Sequence, residues 1–404
     1  HAKIGFPFTA KKFPIEVLTI SEQDGTRLRA TISEFGPVLL SRILDLTETQ
    51  SGIVAIIFKY CDDNKLPLLD IKDLRKMLQF VSNEGKEEIE REYGLVSTSS
   101  VGAIMRNLLE IEQQGAERFF GEVSFEVEDL LRKDTTGKGY ISILRLTDMQ
   151  GKPRLFSTFM LCMLAEVYAT LPEKGDSDKP ELVIFIDEAH LIFKEASKAL
   201  LEQLDTIVKL IRSKGVGLFF VTQDPTDIPD NILSQLGLKV QHALRAFTEK
   251  DRKAIKATAE NYPISDFYKT NEVITQLGIG EAFVTLLNEK GIPTPLAHTM
   301  LCAPESRMDV LQTVELNNCV EKSEIAKRYN KEVDSESAYE ILEKKLKKHK
   351  EVVVEEIEER KTRKKKEEPS LFEKISKSSV TKTIVRELTR GLLGVLGVGS
   401  TRRR

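Results

Sequence analysis

By type and spacing, the residues best suited to chemistry are Asp187 and Glu188. They close the run Leu182-Val183-Ile184-Phe185-Ile186, and Ala189 and His190 follow. A short unbroken apolar run predicts a strand buried on both faces of a sheet. Two carboxylates at its carboxyl end stand where open α/β sheets place their ligand crevice. One acid can help hold a divalent cation against phosphate oxygens while the other polarises a water, the pairing that phosphoryl transfer to water needs. The plainer alternative is a core strand ending in two solvated acids. A second polar-tipped strand at a suitable interval weighs against it.

That second strand is Leu218-Phe219-Phe220-Val221, ending in Thr222 and Gln223. Ala199, Leu200, Leu204, Ile207, Val208 and Ile211 lie between the two at helical spacing, closed by Lys214 and Gly215. The unit is strand–helix–strand, whose parallel crossover is right-handed. Gln223 then stands near Glu188 at one sheet edge, where an uncharged amide senses a terminal phosphate or orients water. Alone, Gln223 reads as an ordinary loop residue; beside the acidic strand it reads as part of a site.

The chain contains no Gly-x-x-x-x-Gly-Lys-Ser/Thr, the loop whose amides and lysine cradle phosphates. The glycine-rich stretch from Gly391 to Gly399 has no lysine after its glycines and is no substitute. With His1 in place of Met, the simplest expectation is a fragment that starts downstream of its own phosphate loop.

The elements that must position these residues alternate regularly from Tyr140: strand 140–146, helix 154–171, strand 182–187, helix 196–213, strand 217–222 and strand 238–245. Thr248 with Asp251 then resembles a capping box opening a helix. Alternation of this kind argues for an α/β fold with a mostly parallel sheet and helices on both faces. Glu281 to Leu287 and Pro295 to Leu301 read as two antiparallel strands. Upstream, residues 15–20 and 27–32 flank Asp24-Gly25, a hairpin signal. The expected domains are an N-terminal hairpin (1–36), an all-helical insertion (37–135), the core with the acidic strand (136–304) and a charged helical tail (305–404).

Hydrophobic residues at 41% and charged residues at 30% of 404 describe a globular chain with ample core. A net charge of −3 excludes a generally basic nucleic-acid coat. Cys61, Cys162, Cys302 and Cys319 lack paired spacing, so neither a zinc site nor a disulfide framework is indicated, and reduced thiols fit a cytoplasmic protein. The most apolar helix, near Phe156 to Leu171, is interrupted by Glu166 and too short to span a bilayer. In the tail, Leu342, Leu346, His349, Val353 and Ile357 form a thin apolar stripe on a charged helix, and residues 361–366 are basic at five of six positions. Val380, Ile384, Leu388, Leu392 and Val395 form another stripe, suited to packing on a second subunit, a membrane surface or a nucleic acid.

With Asp187-Glu188-Ala189-His190 set beside Ile211-Arg212-Ser213-Lys214-Gly215-Val216-Gly217 and Thr222-Gln223, the chain resembles the HerA-like ATPases of the FtsK/HerA group of P-loop motor proteins. The nearest pattern is that of a bacterial, largely uncharacterised HerA-like family. It extends through Glu34-Phe35-Gly36-Pro37, Asp70-Ile71-Lys72-Asp73-Leu74, His242-Ala243-Leu244-Arg245-Ala246-Phe247 and Leu277-Gly278-Ile279-Gly280-Glu281-Ala282, covering about 1–310, specific over 182–247 and looser elsewhere. The Asp-Glu-Ala-His string also marks helicases of another superfamily, but their arginine-rich Gln-x-x-Gly-Arg-x-x-Arg motif is absent. The resemblance implies a P-loop fold, ATP and Mg²⁺ as cofactors, and hydrolysis at the β–γ bond. It also implies a ring, usually hexameric, with sites at subunit interfaces, and DNA as a candidate cargo. Asp187 becomes the Mg²⁺-side acid acting through water, Glu188 the water-polarising base, Thr222 a nucleotide neighbour and Gln223 the sensor. Arg212 is the first candidate for an arginine acting on the neighbouring subunit's site, and Arg245 the second. An arginine at a helix end also serves as a C-terminal charge partner. The competing class is a non-catalytic assembly protein that keeps the fold without turnover.

Overall fold

The computed structural model describes residues 5–146, 148, 152–175, 178–193, 196, 198–348 and 351. It divides into two units, residues 1–340 and 341–404. In the second, residues 341–348 are helical. Leu342 and Leu346 of the first expected stripe fall within this segment; the rest of that stripe and the whole of the second lie outside the described residues.

The first unit is mixed α/β. Strand β1 (Ile15–Thr19) pairs in parallel with β2 (Thr26–Arg27) and, further along the chain, with β3 (Ile141–Arg145). The expected hairpin at Asp24-Gly25 is therefore corrected: the chain loops back and re-enters in the same direction. Tertiary partners override the turn signal. Thr26 Oγ1 donates to the buried Glu16 Oε1 at 3.1 Å, and Arg27 N donates to Asn330 Oδ1 at 2.8 Å. Glu16 also pairs with Arg132 at 2.8 Å, so its buried charge is compensated.

The helical block between β2 and β3 comprises α1 (Ile32–Ile43), α2 (Glu48–Asn64), α3 (Ile71–Ser82), α4 (Lys86–Glu92) and α5 (Thr98–Gln113). Helix α1 starts earlier than Pro37 because Thr31 and Glu34 form a capping box, and it kinks at Gly36 (φ 67) before Pro37. Ile57, Leu74, Met77, Leu78, Ile104, Leu108 and Ile111 are fully buried, and they recur at helical spacing within their helices. Asp73 is buried too. It accepts from the amides of Leu69 (2.8 Å), Asp70 (3.1 Å) and Tyr339 (2.8 Å), and burial pushes its carboxyl up. Asp73→Ala strands these donors, so it is expected to cost about 3 kcal/mol or more. Urea unfolding checks this; an unchanged midpoint would contradict it.

Helix α6 (Pro153–Thr170) leads into β4 (Leu182–Ile186), α7 (His190–Phe193), α8 (Lys198–Leu210), a 3₁₀ turn Ile211–Lys214, and β5 (Val216–Phe220). Strands β4 and β5 pair in parallel, from Leu182 opposite Val216 to Ile186 opposite Phe220. Ser157 of α6 donates to the carbonyls of Leu191 and Ile192, and Phe193 lies 5.8 Å from Phe220 between ring centroids. The expectation of a strand covered on both faces holds on one face only among the described residues. Val183 and Phe185 are 40% and 67% exposed, with Phe185 stacked on Phe219.

Beyond a short α9 (Asp230–Leu233), β6 (Lys239–Gln241) runs antiparallel to β7 (Glu281–Thr285), which is also antiparallel to β8 (Ala297–Met300). The strand expected over 238–245 is thus shorter and does not extend the parallel sheet. Among the described residues there are three separate sheets, β2-β1-β3, β4-β5 and β6-β7-β8. Helix α10 (Glu249–Glu260) carries the expected Thr248/Asp251 capping box. With α11 (Thr270–Val273), it helps to bury Ile255, Ile274, Leu277, Phe283 and Leu296 in one cluster. Helices α12 (Thr313–Lys322) and α13 (Glu324–Tyr329) follow, α13 burying Tyr329.

Candidate active site

The polar tips of β4 and β5 meet. The ladder extends past both strands: Val221 N donates to Ile186 O, and Ala189 N donates to Val221 O, each at 2.9 Å. This fixes the turn holding Asp187 and Glu188 against the segment entering Thr222 and Gln223. Gln223 Nε2 donates to Glu188 Oε1 at 2.8 Å. The structure therefore brings the water-polarising candidate and the sensor candidate into direct contact.

Asp187 is exposed at the strand tip, and its Oδ1 accepts from Glu188 N at 3.0 Å. Glu188 itself has φ 49, a left-handed conformation unusual for a non-glycine residue. That turn redirects the chain into α7. Glu188 Oε2 is sealed from solvent and makes no hydrogen bond. His190 Nδ1 stands 3.2 Å from it, near enough for an ion pair but not aligned as a hydrogen bond. Sequence reasoning gave His190 no role. Its offset of two residues from Glu188 was the available signal, but that offset counts only once the left-handed turn folds the ring back.

Thr222 Oγ1 donates to Asp227 Oδ2 at 2.9 Å, and Asp224 Oδ1 accepts from Thr226 N at 2.9 Å. Thr222 thus shapes the loop after β5. Arg212 lies elsewhere. It is exposed on the 3₁₀ turn before β5, at the opposite end of the strand pair from Glu188 and Gln223. Beside it, hydrogen bonds from Ser213 and Lys214 hold the Glu173 carboxyl below its usual range. Arg245 is committed to backbone. Its guanidinium donates to the carbonyls of Thr275 and, at 3.2 Å, Leu277, just after α11. Within its own chain, Arg245 thus ties the segment after β6 to the segment after α11.

Among the described residues, no group of three or more His, Cys, Asp or Glu side chains is arranged to hold a metal ion. Nor is any described helix long and apolar enough to cross a membrane. Chemically, the edge offers one exposed carboxylate, one half-buried carboxylate and one amide. Such a set can steady a water and a metal already carried by phosphate oxygens.

The chain is 24% identical over 200 residues to the DNA double-strand break repair helicase HerA of Saccharolobus solfataricus, covering 49% of this chain and 38% of that protein. It is 26% identical over 146 residues to the protein of the same description from Sulfurisphaera tokodaii, covering 36% and 29%. The aligned stretches therefore span well under half of these relatives. Among solved structures, the plasmid coupling protein TrwB bound to the GTP analogue GDPNP aligns with a TM-score of 0.49 at 13% identity, covering 73% of this chain and 76% of that one. The model of one family, described as helicase HerA-like C-terminal, matches residues 2–403. With that match across the chain, and the acidic strand tip meeting its polar neighbour, this protein belongs to the HerA-like C-terminal family of P-loop ATPases.

Proposed function

We propose that residues 1–404 carry the hydrolytic half of an ATP-driven DNA motor site, working as a cytoplasmic ring. One observation carries this reading: the 2.8 Å contact of Gln223 with Glu188 where the parallel strands β4 and β5 end. Glu188 takes the hydrogen bond of the attacking water, and Gln223 orients Glu188 and reports on the terminal phosphate. Asp187, exposed at the strand tip, fits Mg²⁺ held largely by substrate phosphates and water rather than by an all-protein cage. When bound, Mg²⁺ supplies charge neutralisation across the phosphates. Thr222 braces the loop beside the nucleotide. The HerA relatives are named as DNA repair helicases, which supports DNA as the polymer that is moved.

The phosphate cradle is proposed to come from a separate strand–loop–helix segment of a longer polypeptide. Support comes from the open side of β4–β5. Among the described residues, β5 has a strand partner on one edge only, and Val183, Phe185 and Val221 present an exposed apolar face. An unpaired edge and an uncovered apolar face are what an added strand and helix satisfy.

The test is calorimetry and phosphate release on purified residues 1–404. Without cradle amides and lysine, binding of Mg-ATP is expected to be weak and turnover no greater than background. Phosphate release clearly above background, lost on Glu188→Gln, would contradict the half-site reading.

A further inference from the structure

Glu188 is held more tightly than a water-polarising base requires. Its backbone sits at φ 49, Oε1 is taken by the Gln223 amide at 2.8 Å, and Oε2 is sealed from solvent. A buried carboxylate oxygen without a hydrogen bond is costly, so it calls for a donor. His190 Nδ1, 3.2 Å away, is placed to be that donor after a small turn of the imidazole. The base of the ring is anchored. His190 opens α7, whose next residues are tied to Ser157 of α6 through the Leu191 and Ile192 carbonyls, while Phe193 packs on Phe220. Both supports are fixed, the turn through Ala189 N to Val221 O and the histidine's helix through Ser157, so what can change is the Glu188 side chain. Held in this way, Oε2 is closed to an attacking water.

We propose that His190 is a positioning residue that clamps Glu188 in a resting conformation through Oε2, and that hydrolysis begins only when this clamp opens. The proposal rests on the reading of Glu188 as the base. It makes His190 a brake on unproductive hydrolysis, released as nucleotide and polymer engage the site.

The experiment measures steady-state phosphate release from the full polypeptide with Mg-ATP, without and with duplex DNA. His190→Ala is expected to raise the DNA-free rate severalfold and to shrink the stimulation by DNA. His190→Asn, whose amide nitrogen lies where Nδ1 does, is expected to restore wild-type behaviour. His190→Gln, whose nitrogen lies nearer the Nε2 position, should behave like His190→Ala. A DNA-free rate for His190→Ala at or below wild type overturns the clamp, and so does His190→Asn behaving like His190→Ala. Glu188→Gln, run alongside, separates the two claims. If it keeps near-normal turnover, the base assignment has failed; if it is inactive while His190→Ala shows no rise, only the clamp has failed.

Discussion

Glu188→Gln in the full polypeptide is expected to lower ATP turnover by about two to four orders of magnitude, the range for a positioned general base, while Mg-ATP binding survives. The substitution keeps shape and volume and leaves an oxygen to accept from Gln223 Nε2, so the strand-tip contact at 2.8 Å can persist. What disappears is the negative charge facing the water. Positioning and electrostatics account for almost all catalysis of phosphoryl transfer, so the change of one atom should fall on rate rather than affinity. Asp187→Ala should do the reverse. Its carboxylate is exposed at the same tip and not engaged with Gln223, so its loss weakens Mg-ATP binding first. Phosphate release and nucleotide titration on both variants check the split. Near-normal turnover in Glu188→Gln rules out the base assignment.

The second large effect concerns Arg212. A transition-state arginine is worth about three to five orders of magnitude in rate. Arg212 is exposed, but it precedes β5, whereas Gln223 follows it. A five-residue strand spans about 16 Å, more than an arginine side chain covers, so Arg212 does not serve the Glu188 of its own chain. In a ring, that opposite end is available to a neighbour. Arg212→Ala should therefore be as inactive as Glu188→Gln, and mixed rings of the two should recover some turnover at interfaces that pair an intact Glu188 with an intact Arg212. No recovery in well-mixed rings, or full activity from a strict monomer, counts against Arg212 acting between subunits.

The site's strand pair was legible because its signals are local. An apolar run ending in Asp187-Glu188, a helical stripe, and a second run ending in Thr222-Gln223 need no distant partner to be read, and β4 and β5 pair in parallel as expected. The Thr248 cap was equally local. What was not legible depends on distant residues. Asp24-Gly25 looks like a hairpin until buried Glu16 captures Thr26 and Asn330 captures Arg27. Alternation placed β6 with the parallel strands; β7, some forty residues later, makes it antiparallel. The contacts of the Arg245 guanidinium with the carbonyls after α11, some thirty residues on, were not legible either. His190 was visible only as a letter in a motif, because its contact with Glu188 depends on a left-handed backbone turn.

The central claim is that the joined tips of β4 and β5 face the terminal phosphate of ATP. The most direct measurement is a structure of the full polypeptide with Mg²⁺ and a non-hydrolysable ATP analogue. The account predicts the terminal phosphate at the Glu188–Gln223 edge, the metal on the Asp187 side, and a lysine-bearing loop from outside residues 1–404 cradling the phosphates. Nucleotide bound away from the carboxyl ends of β4 and β5, with Glu188 and Gln223 facing no phosphate, would contradict it.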